Sequence, residues 1–414
     1  QLSEKYKEFR FVPVYWMATE DHDFAEINHI NMEGGRLSWP RDASGATGRL
    51  STEGLDEVIT ALKKLLPPSE AANEFISFLE VGYNESVNLA GATRYIVHQL
   101  FKDYGVVVID ADHQELKKFA ITSFKNDLLK HTAKETTASA NNYLDAHYAQ
   151  QVFVRDINLF YLRDGLRERI ELHNDRYHVI NTSIEFSTEE ILEELRNHPE
   201  RFSPNVTLRP LYQEIVLPNL AYIGGGGELA YWLQYKDLFK KEKVPFPMLI
   251  LRNSALLFTS KTKEKALKLG LEITDFFGGD LSAVKKKWVK KSSEMDIELS
   301  DYEKRLQQIF DELEDVANMT EKSMLGAVNA QRQKQLNGLD NLRKKLLRAE
   351  KRRHDDQMER LEELFFQLFP NGSLQERHNN ISIWYARYGA DLISKIKACF
   401  NPLDFRFTLI ELEE

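Results

Sequence analysis

RFVPVYWMATEDHDFAE, residues 10–26, decides the fold, because an apolar run passes directly into a cluster of acids around one histidine. The apolar part has no period of two, which predicts a strand covered on both faces in a parallel sheet. Ligands of open α/β sheets bind beyond the carboxyl ends of the strands. The residues predicted to be catalytic at this strand end are Glu20, Asp21, His22 and Asp23. In the alternative interpretation, Asp21 or Asp23 caps a helix that begins near Phe24.

The length and charge of the chain favour an enzyme that acts on small molecules. Its 414 residues suffice for two or three domains with a sizeable core. Acidic residues outnumber basic ones by 64 to 55, which gives a formal net charge of −9. Nucleic-acid-binding proteins carry a basic face, so no nucleic-acid partner is expected.

Cysteine content and hydropathy predict a cytoplasmic protein with no membrane partner. The single Cys399 excludes an intrachain disulfide framework and is typical of a reducing compartment. No apolar stretch reaches the ~18 to 20 uncharged residues that span a bilayer. The first residues are polar and charged, so no signal peptide is expected. Because the sequence does not start with methionine, we expect the numbering to begin inside a longer natural protein.

The middle of the chain alternates helical and strand patterns, which indicates an α/β fold. Apolar spacing predicts a helix that ends at the prolines 67–68, and further helices that begin at Ser69 and Asn88. Val106–Asp110 is a second predicted buried strand, and it ends in an acid. Residues 152–184 are predicted to form short β segments, with turns at Asn158, Asp164–Gly165 and Asn174–Asp175.

From Leu299 onward, apolar residues recur in alternating steps of three and four, which is typical of a coiled coil. The first arm has this spacing at Leu299, Tyr302, Leu306, Ile309, Leu313 and Val316, and the return arm at Leu336, Leu339, Leu342, Leu346, Met358, Leu361, Leu364 and Leu368. An antiparallel helical hairpin is predicted, with an amphipathic core helix as the alternative. The basic run at 344–353 is interpreted as a solvated face rather than a phosphate or nucleic-acid site.

Residues 205–234, NVTLRPLYQEIVLPNLAYIGGGGELAYWLQ, form a second constellation with the order strand, glycine loop and helix. Four consecutive glycines let the backbone approach a ligand closely, and the following helix directs its positive end toward an anion. A phosphate or a carboxylate would suit this loop. No Lys-Ser/Thr pair follows the glycines and their spacing is not GxGxxG, so neither nucleotide-binding fingerprint is present. A flexible turn is the alternative.

Two arginines accompany this glycine loop. Arg209 can pair with a carboxylate or a phosphate through two hydrogen bonds, or it can be a structural ion-pair partner. Arg252 follows the predicted strand Met248–Leu251, so three strand ends are expected to converge. Asp110 is either a further contributor or a helix cap. The predicted substrate- or anion-binding residues are Asn205, Arg209, Gln213, Gly224, Gly225, Gly226, Gly227, Glu228, Tyr231, Gln234, Arg252 and Ser254.

The sequence lacks the usual signatures of a zinc enzyme and of a serine hydrolase. One cysteine and dispersed histidines give no zinc-ligand spacing, so no structural metal is expected. A G-x-S-x-G elbow is also absent. His22 is a candidate general acid/base or phosphate ligand. The paired carboxylates beside it could alternatively hold Mg²⁺ for a nucleotide.

Five segments, in this order along the chain, carry a resemblance to a known family. They are FVPVYWMATEDHDFAEINH (11–29), LFKDYGVVVIDAD (100–112), NVTLRPLYQEIVLPNLAYIGGGGELAYWLQ (205–234), LRNSALL (251–257) and LFPNGSLQERHNNI (368–381). They resemble the BshC family, the cysteine-adding enzymes of bacillithiol biosynthesis. The resemblance implies a Rossmann-type parallel-sheet core with connective insertions, plus an antiparallel helical coiled-coil arm associated with a homodimer.

The expected divisions of the chain follow from this layout. They are 1–115 for the first part of the core, with a helical insertion at 51–82; 116–200 for a connective insertion of a helix and short β segments; 201–282 for the second part of the core; 283–368 for the coiled-coil arm; and 369–414 for a segment that returns to the core.

The resemblance also implies an activity, the joining of the cysteine carboxylate to the amine of glucosaminyl malate. Amide formation needs an activated carboxyl group, so ATP is the expected co-substrate, through an acyl-phosphate with ADP or through an acyl-adenylate. Mg²⁺ could accompany it. We expect His22 and Asp23 to act in acid/base chemistry or nucleotide positioning. Gly224–Gly227, Arg209 and Arg252 are expected to bind anions.

Other residues receive roles through the same resemblance. Glu228, Tyr231 and Gln234 are expected to orient polar groups. A second pocket between arm and core is predicted at Gln375, Glu376 and Arg377, with a structural hinge as the alternative. Two departures from the family are visible. Family members carry a glutamine- and glycine-rich strand–helix unit ahead of residue 11, which this chain is expected to lack. Gly226 stands where their loops usually have proline, which loosens the loop without removing its N–H groups.

Two other functions remain as alternatives. A synthetase-like nucleotidyltransferase would share a Rossmann-type core with insertions, but no H-x-G-H stands in residues 19–23. A non-catalytic interaction protein would use the coiled-coil arm as its functional part and the core as a platform. The identity of the bound ligand would distinguish these two functions from the ligase.

Overall fold

The computed structural model describes residues 2–32, 35–148, 151–292 and 299–413. The side chains of residues 290, 292 and 347–354 lie outside the described part, and with them much of the basic run at 344–353. The chain divides into two compact units, Gln1–Ser254 with Asn379–Thr408, and Ala255–His378 with Leu409–Glu414. The division falls after residue 254, whereas the sequence analysis placed the end of the core at 282.

Helices and short strands alternate through the first unit. Its helices up to residue 242 are α1 (Leu2–Lys5), α2 (Phe24–Ile27), α3 (Leu55–Leu65), α4 (Glu70–Glu85), α5 (Leu89–Phe101), α6 (Gln114–Lys117), α7 (Ile121–Lys130), α8 (Thr132–Asp145), α9 (Thr188–Asn197), α10 (Arg209–Val216), α11 (Gly226–Trp232) and α12 (Lys236–Glu242). Ser69 and Asn88 begin α4 and α5 as predicted, because their side-chain oxygens accept hydrogen bonds from the first turn of each helix.

The strands of this unit form parallel pairs, one hairpin and one larger sheet. They are β1 (Val14–Met17), β2 (His29–Met32), β3 (Gly35–Ser38), β4 (Val107–Asp110), β5 (Leu159–Arg163), β6 (Leu166–His173), β7 (Arg176–Val179), β8 (Glu185–Phe186), β9 (Phe202–Pro204), β10 (Ala221–Gly224) and β11 (Met248–Leu251). β2 and β3 pair antiparallel with each other.

Two pairs of parallel strands position the candidate site. β1 pairs with β4 so that Met17 lies opposite Asp110, and β10 pairs with β11 so that Gly224 lies opposite Leu251. Within the described residues, no backbone pairing joins one pair to the other. The prediction that the first strand is covered on both faces is wrong, since only Met17 is buried and the first two residues of β1 are exposed. With β4 as its single described partner, β1 is covered only at its carboxyl end.

The connective insertion contains a five-stranded antiparallel sheet in the order β8-β7-β6-β5-β9. Two predicted turns are confirmed here, since Asp164–Gly165 joins β5 to β6 and Asn174–Asp175 joins β6 to β7. Asn174 and Asp175 both have positive φ, which is the backbone that a two-residue hairpin turn requires and that these residue types tolerate. The sheet packs on α7 and α9 in one hydrophobic cluster with buried Phe124, Tyr161 and Phe202.

The second unit contains an antiparallel helical hairpin. Its elements are the strands β12 (Ala255–Thr259) and β13 (Thr408–Leu412), which pair with each other, and the helices α13 (Ser260–Lys268), α14 (Leu281–Ser292), α15 (Ser300–Thr320), α16 (Leu325–Leu368) and α17 (Gln375–His378). α15 packs along α16, and Arg332 of α16 contacts Asp311 and Glu314 of α15 at 2.7 and 3.0 Å. The predicted helical hairpin is confirmed.

The packed face of α15 lies one residue away from much of the predicted seam. Phe310 and Ala317 are each only 6% exposed, whereas the predicted Ile309 and Val316 are 53% and 52% exposed. Tyr302, Ile309, Leu313 and Val316 therefore form an exposed apolar line, which we call the α15 stripe. The spacing alone did not distinguish two adjacent apolar lines on one helix.

The chain returns to the first unit as α18 (Ser382–Tyr388) and α19 (Asp391–Cys399). α18 packs against α4, where the Ser69 hydroxyl donates to the Ala386 carbonyl at 2.5 Å and the rings of Phe75 and Tyr385 lie 5.3 Å apart. Across the residues that the structure describes, every helix is too short or too polar to cross a membrane.

Candidate functional site

The carboxyl ends of β1 and β4 carry a group of charged side chains that we call the strand-tip cluster. The cluster comprises Thr19, Glu20, His22, Arg49, Arg94, Asp110, Asp112, Lys117 and Arg167. The parallel register brings the two strand ends together, and the Thr19 hydroxyl donates to the Asp110 carboxylate. Asp110 also accepts the backbone N–H of Asp112 at 3.0 Å. Its carboxylate therefore belongs to the cluster, and the helix-cap alternative does not describe its contacts.

Glu20, predicted to be catalytic, forms a buried ion pair with Lys117. The Lys117 ammonium also donates to the carbonyl of Phe202 on β9 at 2.7 Å. Burial raises the pKa of the Glu20 carboxyl, and the Lys117 charge opposes that rise. This carboxylate therefore joins the strand end to the insertion sheet, and it is not open to solvent.

Arginines neutralise the other two carboxylates of the strand-tip cluster. Arg49 contacts both oxygens of Asp112, at 2.6 and 2.9 Å, and Arg94 lies 3.7 Å from Asp110. Arg49 reaches this position because Gly48 lies directly on the strand end, where its N–H donates to the Thr19 carbonyl at 2.8 Å. A Cβ at Gly48 would lie 2.5 Å from the Cβ of Thr19, so only glycine permits this approach.

His22 lies at the exposed rim of the cluster, against an arginine that the sequence analysis did not select. Arg167 of β6 places its Nη1 2.8 Å from His22 Nδ1 and its guanidinium carbon 3.9 Å from the centre of the Phe160 ring. Burial lowers the pKa of the Arg167 guanidinium, with Glu20 and Asp21 opposing. Its contacts with the described residues include no carboxylate.

The helix-cap alternative for the acids beside His22 is met only in part. α2 does begin at Phe24, with Asp23 in the position before it, yet the Asp23 side chain makes no capping hydrogen bond. Asp21 instead accepts the backbone N–H of His22 at 2.7 Å. Both carboxylates are exposed, so they stay predicted site residues at the rim of the strand-tip cluster.

A second group, the glycine-turn cluster, surrounds the start of α11. It comprises Arg209, Tyr222, Gly224–Gly227, Glu228, Tyr231 and Arg252. The predicted glycine loop is shorter than expected, because Gly224 ends β10 and Gly226 already begins the helix. Glu228 closes the turn by accepting the N–H of Gly225 and the Tyr222 hydroxyl, each at 2.8 Å. This carboxylate is thus occupied within the turn.

Arg209 is the central cation of the glycine-turn cluster. Its guanidinium donates to Gln213 at 3.1 Å, to the Tyr222 hydroxyl at 3.3 Å and to the Tyr231 hydroxyl at 3.5 Å. All of these described partners are neutral, so the proposed structural ion pair is not what holds Arg209. Burial raises the pKa of Tyr222 to about 12, which keeps this phenol protonated.

Arg252 joins this cluster through the backbone. Its N–H donates to the Gly224 carbonyl at 2.9 Å, which continues the β10–β11 pairing, and its side chain is exposed. The ends of β10 and β11 therefore lie together, whereas the predicted convergence of the third strand end, at residues 20–23, stays a prediction. Ser254 lies farther along, where its carbonyl accepts the N–H of Thr408 at 2.9 Å.

One short helix, α10, links the two clusters. Arg209 at its start belongs to the glycine-turn cluster, while Tyr212 one turn later donates its hydroxyl to the Ala111 carbonyl at 2.8 Å. The Tyr212 ring also lies 5.4 Å from Trp16 and 5.4 Å from the Lys117 ammonium. Adjacent turns of α10 therefore contact both strand-end groups.

Three other predicted site residues are partly or fully buried, and two of them belong to this helix or to the turn before it. Asn205 accepts the N–H of Thr207 at 2.8 Å and donates to Asn158 at 3.1 Å, so it shapes the turn before α10. Gln213 is buried against Arg209. Gln234 is also buried, and its Oε1 has no hydrogen-bond partner among the described atoms.

The predicted second-pocket residues lie in the second unit. Gln375 is buried and pairs with both backbone groups of Leu257, accepting its N–H at 3.0 Å and donating to its carbonyl at 2.9 Å. Glu376 accepts the N–H of Ala255 at 3.2 Å, and Arg377 is exposed. These bonds fasten α17 to β12. A pocket role for the three residues stays a prediction.

A cavity of about 370 Å³ lies beside the strand tip, on the side of α3, α4 and α5. It is lined mostly by apolar side chains, with Thr19 and Gly48 at the strand-tip end. The sequence analysis missed this cavity, and it also missed Arg49, Lys117 and Arg167. No local signal marks these three cations, because each reaches the strand end from a distant segment.

No three His, Cys, Asp or Glu side chains group as a metal-ligand set in the described parts of the chain. Two neighbouring carboxylates with substrate phosphates are enough for Mg²⁺, which keeps several waters. Asp110 and Asp112 contact arginines and Asp21 contacts His22, so a Mg²⁺ site at the strand tip stays a prediction.

Comparison with known proteins gives matches that cover nearly all of this chain. A family model described as "Bacillithiol biosynthesis BshC, N-terminal Rossmann-like domain" matches residues 1–253, and one described as "Bacillithiol biosynthesis BshC, C-terminal coiled-coil domain" matches 255–412. Relatives named "Putative cysteine ligase BshC" include that of Christiangramia forsetii, 47% identical over 99% of this chain and 77% of that protein. That of Flavobacterium johnsoniae is 46% identical over 100% and 78%, and that of Bacillus cytotoxicus 26% over 94% and 74%.

Proposed function

The chain belongs to the BshC family, and from that premise we propose that it is a ligase that adds cysteine to glucosaminyl malate in bacillithiol biosynthesis. The observation that supports this most strongly is the match of both family domains, in order, over nearly all of the chain. The Rossmann-like and coiled-coil architecture agrees with it.

The geometry favours an anionic substrate. Arg167 and Arg209 are the two partly buried cations of these clusters whose described contacts include no carboxylate. A partly buried guanidinium with no carboxylate in contact is stabilised when a carboxylate or phosphate binds it. Glucosaminyl malate carries two carboxylates, and ATP carries phosphates. Gly226, Gly227 and Arg252 are exposed at the same turn and are further candidate donors to an anion.

The proposed reaction has two steps. A cysteine carboxylate oxygen attacks a phosphorus of ATP, giving an acyl-phosphate with ADP or an acyl-adenylate with pyrophosphate. The glucosamine amine then attacks the acyl carbon, the amide C–N bond forms, and phosphate or AMP leaves. In this proposal His22 orients the reacting groups, and Asp23, also exposed at the rim, takes the amine proton. Mg²⁺ would accompany the nucleotide.

The test is to incubate the protein with glucosaminyl malate, cysteine and ATP, and to detect the thiol product and the nucleotide by mass spectrometry. The expected product is bacillithiol, and ADP or AMP identifies the activation route. Omission of cysteine is the matched control. Absence of product with the full chain and every co-substrate would contradict the proposed ligase.

We also propose a homodimer through the α15 stripe. Four apolar side chains spaced by seven, four and three residues lie exposed along α15, which is the pattern that a second helix covers in a coiled coil. The matched test compares Ile309→Glu on the stripe with Gln308→Glu beside it, using light scattering. We expect Ile309→Glu to be monomeric and Gln308→Glu to be dimeric. A dimer that survives Ile309→Glu together with Leu313→Glu would contradict this surface.

A further inference from the structure

His22 has two neighbours that favour opposite hydrogen-bonding roles for its Nδ1 atom. Asp21 Oδ1 lies 3.4 Å from Nδ1 and would favour a proton there. Arg167 Nη1 lies 2.8 Å from the same nitrogen. A guanidinium carries only donors, so the nitrogen that faces it at hydrogen-bond distance must accept. The shorter contact prevails, since Asp21 Oδ1 already accepts the His22 backbone N–H at 2.7 Å.

The position of Arg167 is fixed independently of His22. Its guanidinium carbon lies over the Phe160 ring, 3.9 Å from the ring centre, and its Nε is 3.4 Å from the Ser203 hydroxyl. Phe160 and Ser203 stand opposite each other on β5 and β9, so three strands of the insertion sheet hold this side chain. The His22 ring lies 5.8 Å from the same Phe160 ring.

We propose that Arg167 is a positioning residue that holds His22 as the neutral tautomer, with Nδ1 accepting from the guanidinium and the proton on Nε2. His22 then acts as a hydrogen-bond donor through Nε2–H toward a carbonyl or carboxylate oxygen of the substrate. It does not act as the base that takes the amine proton, because Nε2 has no free lone pair. The donor role rests on the proposed ligase function, whereas the tautomer does not.

In this proposal the insertion sheet contributes to the site, because it supplies Arg167. Arg167 is supplied by β6, far from the strand tip in sequence. The insertion sheet is then one wall of the site, in addition to its buried contact at Lys117. A neutral donor beside a guanidinium suits a substrate oxygen that gains negative charge as the amide forms.

The tautomer is tested without any substrate, by two-bond proton–nitrogen NMR on the full chain labelled with ¹⁵N-histidine. The His22 signals are identified by their loss in His22→Gln. Near neutral pH we expect an unprotonated Nδ1 and a protonated Nε2 in the natural protein and in Arg169→Met, whose residue lies on the same strand but pairs with Glu171. In Arg167→Met we expect that pattern to be lost, and Arg167→Lys should restore it in part. A protonated Nδ1 in the natural protein, or an unchanged ring in Arg167→Met, would overturn the proposal.

The donor role is tested by comparing His22→Gln with His22→Ala in the ligase assay. The glutamine amide can replace an Nε2–H donor but cannot act as a base. We expect His22→Gln to retain kcat within about tenfold and His22→Ala to lose roughly 10²- to 10³-fold, as when one donor to a developing charge is removed. Equal losses in the two variants would refute the donor role, even if the tautomer is as proposed. A natural protein without activity would contradict the ligase function, and the NMR result would still decide the tautomer.

Discussion

The strand-tip cluster and the glycine-turn cluster differ in how their charged side chains are paired. Each lies at the carboxyl ends of a parallel strand pair, yet the first matches Glu20, Asp110 and Asp112 with opposite charges. The second surrounds Arg209 with two phenols and an amide. Matched charges hold segments together, whereas a cation among neutral donors and acceptors still favours an anion. We therefore expect changes in the first cluster to lower stability and changes in the second to weaken binding.

The largest effect is expected from breaking the buried ion pair in the strand-tip cluster. Lys117→Met leaves Glu20 buried without its counter-ion, which costs about 3–5 kcal/mol of the free energy of unfolding. Urea-induced unfolding followed by circular dichroism measures this loss. The double variant with Glu20→Gln should recover much of it. If Lys117→Met unfolds at the same urea concentration as the natural protein, the ion pair is not a structural tie.

Asp127, which accepts a hydrogen bond from Asn158, should make the free energy of unfolding depend on pH by a similar amount. Burial raises the pKa of Asp127 to about 6, although Asn158 donates to it at 2.6 Å. The folded chain therefore binds this proton more tightly than the unfolded chain, so stability falls as pH rises from about 4 to about 6. The shift from 3.8 corresponds to about 3 kcal/mol. Unfolding free energies at pH 4.5 and 6.5 should differ less in Asp127→Asn than in the natural protein. An equal difference would show that Asp127 is not responsible.

The glycine-turn cluster should respond in binding rather than in stability. Arg209→Met removes the cation while its described partners remain neutral, so we expect unfolding to change little. A lost hydrogen bond from a charged group costs about 1.5–3 kcal/mol, which is roughly 10- to 100-fold in kcat/KM. Steady-state kinetics with varied glucosaminyl malate measure it, and Arg209→Lys is the matched control that keeps the charge. A stability loss as large as that of Lys117→Met would remove the contrast between the clusters.

The smallest expected effects are on stability, and they differ between two glycines of the same turn. A Cβ at Gly224 would lie 2.7 Å from the Tyr222 ring, so Gly224→Ala should cost about 1–3 kcal/mol. Gly226 has open space around its Cβ position and helical backbone, so Gly226→Ala should be neutral or stabilising by up to about 1 kcal/mol. Thermal unfolding compares the two. Equal destabilisation would mean that the turn needs glycine for flexibility rather than for close packing.

Local patterns predicted much of the fold. Residue type and spacing predict the helix starts at Ser69 and Asn88 and the hairpin turn at Asn174–Asp175. They also predict the four parallel strands. Residues within a few positions interact through fixed backbone geometry, so residue type and spacing suffice. The same reasoning selected Ile309 for the helical seam, where only the packing of two helices shows that Phe310 is the buried neighbour.

The sequence by itself determined the α/β class, the family resemblance, and the polar residues at two strand ends. Tertiary structure alone decided which partners those residues contact. Lys117 and Arg167 stand nearly 100 and nearly 150 positions after their partners Glu20 and His22, respectively. Such pairs depend on how the insertion sheet folds against β1 and β4, and no spacing rule in the chain records that placement. The acids around His22 therefore predicted a site, while the folded insertion supplied the cations that contact it.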